Sequence, residues 1–290
     1  MRFTNAAACN IRSPHQAALF SMLCEIDRIC VKHRIAYQLF AGTALGAVRH
    51  GGFIPWDDDL DVVLLRPDYE RFLDAAQAEL DASYYVQREF SPHWPMPYSK
   101  LRLNHTACIE KFHPKDRQMH QGVYVDLFPC DSLSDWAIVR GLQFLAAKAV
   151  IAQSLDCRGY HTDSVFKKAF IRLCRPLPRA VLWRFCIQAG RKTRRVHTFF
   201  GGGSRYRKNV FDRAWLLEEC AMPFESGQFP VSAHYDALLT ALYGDYRTIP
   251  PPEARKRKEH AVIVDLHRSY TEYLDVQAAM TFDAPARSIR

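Results

Sequence analysis

No stretch of this 290-residue chain approaches the ~20 apolar residues that a membrane-spanning helix needs, so a spanning protein is not expected. The opening residues, Met1 to Gln16, lack the apolar core of a signal peptide, and a cytoplasmic location is the expectation that follows. The nine cysteines include no CxxC pair, and their number is odd. Reduced, buried thiols are therefore expected, not a disulfide framework or a zinc site. There is no internal repeat and no low-complexity tract. With 48% hydrophobic and 24% charged residues, disorder, collagen and coiled coil are excluded too.

What the sequence does have is an excess of positive charge. Lys and Arg number 39 against 31 Asp and Glu, a formal net charge of +8. An anionic partner fits: a phosphate, a nucleic acid or a membrane surface. The length suits one large domain or two small ones.

The patterning changes along the chain. Ser13-Pro14-His15-Gln16 reads as a capped helix start, and the stripe Leu19, Met22, Leu23, Ile26, Ile29 and Cys30 predicts a helix over residues 14–33. A short strand is expected at Ile35–Phe40, then a helix at Thr43–His50 ended by Gly51-Gly52. Asp57–Leu65 reads as a strand, and Pro67 opens another helix. Strands are expected near 84–87, 98–103, 106–111 and 122–128, with Asp131 as a turn residue just past Pro129. From Asp135 onward, segments 135–154, 163–175, 178–190, 208–221 and 232–243 read as helices. Gly201-Gly202-Gly203-Ser204 and Pro250-Pro251-Pro252 mark breaks. The fold class is thus α+β, with residues 1–134 as the catalytic core and a mainly helical region, 135–290, packing on it.

The segment Gly42–Asp61, GTALGAVRHGGFIPWDDDLD, carries the chemistry. Asp57, Asp58, Asp59 and Asp61 place four carboxylates within five residues. On a strand, Asp57, Asp59 and Asp61 would share a face, where without a cation they would repel one another. Oxygen ligands without His or Cys suit Mg²⁺ or Mn²⁺. Gly42-Thr43 at the start of a short helix offers backbone N–H groups and a hydroxyl to a phosphate. A metal facing a phosphate cradle is the apparatus of phosphoryl and nucleotidyl transfer. An EF-hand loop is excluded, because its glycine at position six and glutamate at position twelve are missing. Asp126, alone in the apolar run Gly122–Pro129, is the candidate third carboxylate. Arg49, Lys100 and Arg102 are candidate phosphate contacts, with ordinary salt bridges as the alternative. His50, His113 and His120 lie near these motifs and are not taken as ligands.

A second feature is the basic stretch 191–208, with seven positive charges in 18 residues, no acidic one, and Phe199 and Phe200 interleaved. It reads either as a solvated loop or as a landing patch for anionic lipid or a phosphorylated, lipid-linked acceptor. Nucleic acid is disfavoured, because no recognisable binding module accompanies it.

GTALGAVRHGGFIPWDDDLDVVL followed by RPDYERF resembles the signature of the LicD family, of the nucleotidyltransferase-fold superfamily. Three further segments agree in order: YSKLR with Thr106, then HQGVYVDLFP, then LYGDY followed by Pro250-Pro251. Ala41 departs from the pattern, which usually has glycine there. The resemblance implies a nucleotidyltransferase-like mixed β-sheet flanked by helices and metal-dependent transfer of a phospho-substituent. Phosphocholine from CDP-choline, delivered to a hydroxyl of a cell-surface or lipid-linked glycan, is the expected reaction. Carried over by position, Gly42 and Thr43 match the phosphate-contacting turn, Asp59 and Asp61 the metal pair, and Asp126 the third carboxylate. The roles of Asp57 and Asp58 stay open. The expected partners are a CDP-linked donor and a glycan acceptor, with peripheral contact to an anionic membrane. Two rival readings are a nucleotidyltransferase acting on a small molecule, protein or RNA, and a non-catalytic binder. The intact Asp59, Asp61 and Asp126 argue against the last.

Overall fold

A computed structural model of the protein describes residues 11–110, 118–160, 162–187, 193–199, 205–251, 253 and 261–275. Cys9, His113, Arg191, Lys192, Phe200, the Gly201–Ser204 loop and Pro252 lie outside these residues.

The first helix, α1 (Pro14–His33), starts where the capping pattern places it. The Ser13 hydroxyl accepts the Gln16 N–H at 3.1 Å, and Gln16 Oε1 accepts the Arg12 N–H at 2.8 Å. Its stripe Leu19, Met22, Leu23, Ile26 and Ile29 is fully buried. Then follow β1 (Gln38–Leu39), α2 (Ala41–His50), β2 (Asp61–Leu65), α3 (Arg66–Glu79), β3 (Tyr84–Gln87), β4 (Ser99–Leu103), β5 (Ala107–Glu110) and β6 (Tyr124–Leu133). The sheet runs β1-β2-β6-β4-β3, and β2 and β6 are parallel while the other neighbours on this path are antiparallel. α1 and α3 pack on each other and on β6. Pro129, which cannot donate a ladder hydrogen bond, falls between the β6 residues paired with β4 (124–127) and those paired with the later strand 195–197 (131–133).

α2 begins with Ala41 at φ 46°, in the left-handed region that disfavours side chains. This is the position where the family pattern has glycine. Ala41→Gly is expected to leave the fold intact and raise stability by up to ~1 kcal/mol, whereas Ala41→Val should destabilise by more than that. Thermal melting of both variants checks it. At the other end Gly51, φ 66°, closes α2 through its N–H to the Ala47 carbonyl.

Two expectations on the front half are corrected. Asp57–Leu65 is not one strand: β2 begins only at Asp61, and residues 57–60 are an irregular loop. Asp131 is not a turn residue. It lies in β6, fully buried, with its oxygens accepting Arg66 Nε at 2.7 Å and Nη2 at 2.8 Å. The same guanidinium reaches Glu89 at 2.8 Å and Glu70 at 3.1 Å. Burial pushes the Glu89 carboxyl up to about 7, against the pull of Arg66. A carboxyl raised in the fold is protonated there while ionised in the unfolded chain, so its contribution to stability is lost as pH rises from about 4.5 to 7. Glu89→Gln should flatten that slope, by on the order of 2 kcal/mol between the two ends. Parallel melting curves for wild type and variant from pH 5 to 7 would contradict this.

The second half opens with three helices: α4 (Ala137–Arg158), α5 (Val165–Cys174) and α6 (Arg179–Ile187). α4 corrects another expectation, since by length and composition it could cross a membrane. Its middle is instead built into a helical layer, where Gln143 Nε2 donates to the Cys186 carbonyl and Gln153 Nε2 to the Cys174 carbonyl. The expected helix 208–221 is absent. That segment forms a 3-10 turn at Tyr206–Asn209, then β8 (Val210–Asp212), α7 (Ala214–Leu217) and β9 (Glu219–Phe224). β8 pairs with β7 (Arg195–His197), which pairs with β6, so this part of the chain extends the first sheet. Part of the basic stretch is thus a strand, Arg194 pairs with Asp212 at 3.4 Å, and Phe199 is core, packed on Phe144 and Tyr206. β10 (Gly227–Ser232) forms a hairpin with β9, α8 (Tyr235–Tyr243) packs against α2, and β11 (Ala261–Asp265) pairs with β5. The eight described cysteines are free thiols.

Candidate functional site

Asp61 is the first residue of β2, and Asp126 is its partner in the parallel register with β6. Parallel neighbours lie ~4.8 Å apart, and partnered side chains project to the same face, so the register sets two carboxylates side by side. The backbone fixes this placement. The Phe40 N–H donates to the Asp61 carbonyl at 2.9 Å, and the Asp126 N–H donates to the Leu60 carbonyl at 2.9 Å.

Thr43 is buried in α2, and its hydroxyl accepts the Asp61 N–H at 2.8 Å. That bond ties the first turn of α2 to the head of β2. Gly42 stands against the acidic loop: a methyl group there would sit 2.7 Å from Asp57 Oδ2 and 4.0 Å from Asp59 Oδ1. The pairing of Gly42 with Asp57 and Asp59 is a close approach that only a residue without Cβ permits. Gly42→Ala should therefore push the Asp57 carboxylate aside with little loss of melting temperature. Activity is expected to fall roughly 10-fold or more, since misplacing groups by about 1 Å is costly to catalysis. Unchanged turnover would contradict the packing argument. Gln16 Nε2 holds the Asp57 carbonyl at 3.1 Å, and Asp58 Oδ2 accepts the Ala261 N–H of β11 at 3.2 Å. Asp58 thus ties down the later strand, whereas Asp57 faces Gly42 beside Asp59.

The electrostatics follow from this crowding. Burial, then the Asp59, Asp126 and Asp57 carboxylates, raise the Asp61 pKa well above the usual carboxylate range. Burial also raises Asp126, while Lys100 pulls it back. Lys100 Nζ lies 3.1 Å from Asp126 Oδ1, 3.5 Å from Glu110 Oε1 and 3.1 Å from the Tyr124 ring centroid. Burial would raise Glu110, but Lys100, Arg158 and Arg102 outweigh it and hold its pKa down at about 2. Asp126, Lys100, Glu110 and Arg158 therefore form a line of alternating charge, closed by the Arg158–Glu110 pair at 3.2 Å. The Tyr243 hydroxyl, at the end of α8, is raised well above its usual range by its enclosure and by Asp61, Asp57 and Asp59.

The three basic candidates are placed differently from one another. Lys100 is the counter-ion of Asp126. Arg102 is fully buried and donates to Gln87 Oε1 at 2.6 Å and to the Gly122 carbonyl at 2.8 Å. Arg49 donates to the Tyr246 carbonyl at 2.7 Å, which fastens the turn after α8. His120 bridges Gly122 and Asn104, and neighbours Tyr85 in a ring stack. The structure brings together Gly42, Thr43, Asp57, Asp59, Asp61 and Asp126. It adds Glu110 and Arg158, for which the sequence carries no local signal, and Tyr124 and Tyr243, whose only signals are the HQGVYVDLFP and LYGDY segments.

Among the described residues, no three His, Cys, Asp or Glu side chains are already gathered as a metal site. The donor chemistry nonetheless fits a hard divalent cation. It consists of carboxylate oxygens only, and Asp61 is driven toward protonation by burial and then by its neighbouring carboxylates, a condition that a bound cation relieves.

A nucleotidyltransferase-type sheet with carboxylates on adjacent parallel strands, facing a glycine turn, defines the class of protein. The family described as LicD/FKTN/FKRP, nucleotidyltransferase domain, matches residues 34–186, more than half of the chain. The chain belongs to the LicD family and is a phosphotransferase of the LicD type. It is similar to the lipopolysaccharide cholinephosphotransferase LicD of Haemophilus influenzae, 24% identical over 255 residues, covering 83% of this chain and 93% of that protein. A Rickettsia typhi protein without an assigned activity is 40% identical over 55 residues, 19% of this chain and 18% of its own. A Rickettsia prowazekii protein is 41% identical over 51 residues, 18% of this chain and 19% of its own.

Proposed function

We propose that the chain transfers phosphocholine from CDP-choline to a hydroxyl of a lipopolysaccharide-type or lipid-linked glycan, with Mg²⁺ or Mn²⁺ held by Asp59 and Asp61. The observation that carries the reading is the in-register pair Asp61 and Asp126 beside the Gly42 turn. The activity named for the Haemophilus influenzae relative, similar along 93% of its length, supports the choice of head group and acceptor.

When bound, the cation would neutralise charge on the donor pyrophosphate and on the departing CMP. The protein's own groups do the rest. The α2 N-terminus, free of a side chain at Gly42, presents backbone N–H groups to an anionic oxygen. Asp126 accepts the proton of the attacking hydroxyl, and its raised pKa makes it a stronger base than an exposed carboxylate. Lys100 holds Asp126 in place, and Glu110 with Arg158 holds Lys100. The Tyr243 hydroxyl, raised by burial and by the nearby Asp61, Asp57 and Asp59, stays protonated as a donor.

A thermal-shift series tests donor class. CDP-choline with Mg²⁺ should raise the melting temperature, because a ligand that binds only the native state stabilises by mass action, about 2.7 kcal/mol at 100 times its Kd. Asp59→Asn should remove the Mg²⁺-dependent part. Stabilisation by nucleoside triphosphates but not by CDP-choline would transfer the site to the nucleotidyltransferase reading.

A further inference from the structure

Of the seventeen large apolar side chains exposed among the described residues, ten fall between Trp136 and Val181, on α4, α5 and α6 and their joins. α5 shows the pattern most plainly. Phe166 and Leu173 are 89% and 72% exposed, and with Phe170 they recur at the spacing of one helix face. The inward side of α5 is already used, since Ile171 and Cys174 pack on Ala149 and Ala152 of α4. α4 adds Ile138, Leu142 and Leu145, again at the spacing of one face and all exposed. Scattered exposed leucines need no explanation, but stripes on neighbouring helices mark an interaction surface.

The surrounding charge selects the occupant. Along α5, α6 and their join, from Ser164 to Ile187, the sequence carries six Lys and Arg and no Asp or Glu. Lys167, Lys168 and Arg172 lie on α5 itself and are exposed. A second copy of the chain, docked about a two-fold axis, would set these cations against themselves. A nucleic acid would meet the cations and leave the Phe and Leu stripe in water. An anionic bilayer satisfies both, because the apolar stripe enters the acyl boundary while the cations meet headgroup phosphates. The buried Gln143 and Gln153, bonded into the layer, keep α4 lying along such a surface instead of crossing it.

We infer that the exposed stripes of α5 and α4, with their flanking cations, form a peripheral docking surface for an anionic lipid bilayer. The apolar partner of the positive charge is therefore Phe166 and its neighbours, since Phe199 within the basic stretch is core. None of the stripe residues or the α5 cations is among the groups assigned to the transfer chemistry, so binding reports on the surface without reference to activity.

The test is co-sedimentation of the full chain with phosphatidylglycerol-containing vesicles and with pure phosphatidylcholine vesicles. Wild type should partition onto the first and not the second, and salt should weaken the binding. Phe166→Gln with Leu173→Gln should lower partitioning roughly 10-fold or more, with the melting temperature unchanged, since both side chains are exposed. Lys167→Gln, Lys168→Gln and Arg172→Gln together should lower it and flatten its salt dependence. Absent binding, or wild-type binding by the Phe166/Leu173 variant, would overturn the proposal. So would loss of an oligomer in that variant without any change at vesicles, which would make the face a protein–protein contact.

Discussion

Asp61→Asn is expected to abolish transfer while leaving the protein folded and, without divalent cations, more stable than wild type. The loss of activity should be roughly 10³-fold or more, because the substitution removes a charge from the point where a cation and the donor phosphates would meet. The gain in stability follows from the raised pKa of Asp61, caused by burial and by Asp59, Asp126 and Asp57. A carboxyl raised in the fold contributes its full stability below its unfolded pKa, and that contribution is lost as pH rises toward the folded value. Asparagine has no such loss. In chelator the variant should therefore melt above wild type at pH 7–8, and the gap should close toward pH 4. A variant that melts lower across this range would show that Asp61 is held by favourable contacts instead of crowded by like charge. Near-normal turnover would remove Asp61 from the chemistry.

The second large effect is Asp126→Asn, with an expected fall in turnover of ~10²–10⁴. Donor affinity separates the roles that Asp126 could play. As the acceptor-side base, its loss leaves Mg²⁺-dependent binding of CDP-choline close to wild type. As a metal ligand, its loss removes donor binding together with turnover. Its bond to Lys100 at 3.1 Å favours the first, because one oxygen is already held by a protein cation. Calorimetric titration of CDP-choline into the variant decides between them. Wild-type turnover would contradict both.

The capping pattern and apolar stripe of α1 were legible because they are local: Ser13, Gln16 and the six apolar positions act within one helix. The pairing of Asp61 with Asp126 was legible only as an expectation of shared chemistry, since the register that joins them spans 65 residues of sequence. The alternation in Asp57–Leu65 misled for a physical reason. A strand in a parallel pair is buried on both faces, so β2 is the buried run from Asp61 through Val62, Val63 and Leu64, and Asp57 and Asp58 before it are held by Gln16 and Ala261 contacts. The segment 208–221 misled because Val210 and Phe211 gain more from pairing with β7 than from a helix, a contact invisible in the local pattern. Glu110 and Arg158 had no signal at all, because each is an ordinary charged residue until the fold brings it to Lys100.

In the proposed reaction the distal phosphoryl group of a CDP-linked donor moves to a glycan hydroxyl. Phosphorus NMR of a reaction containing the protein, CDP-choline, a lipopolysaccharide acceptor and Mg²⁺ tests it most directly. CMP and a new phosphodiester on the glycan should form in equal amounts, both absent with Asp61→Asn. Pyrophosphate released from a nucleoside triphosphate, with the nucleotide left on the acceptor and CDP-choline untouched, would contradict it.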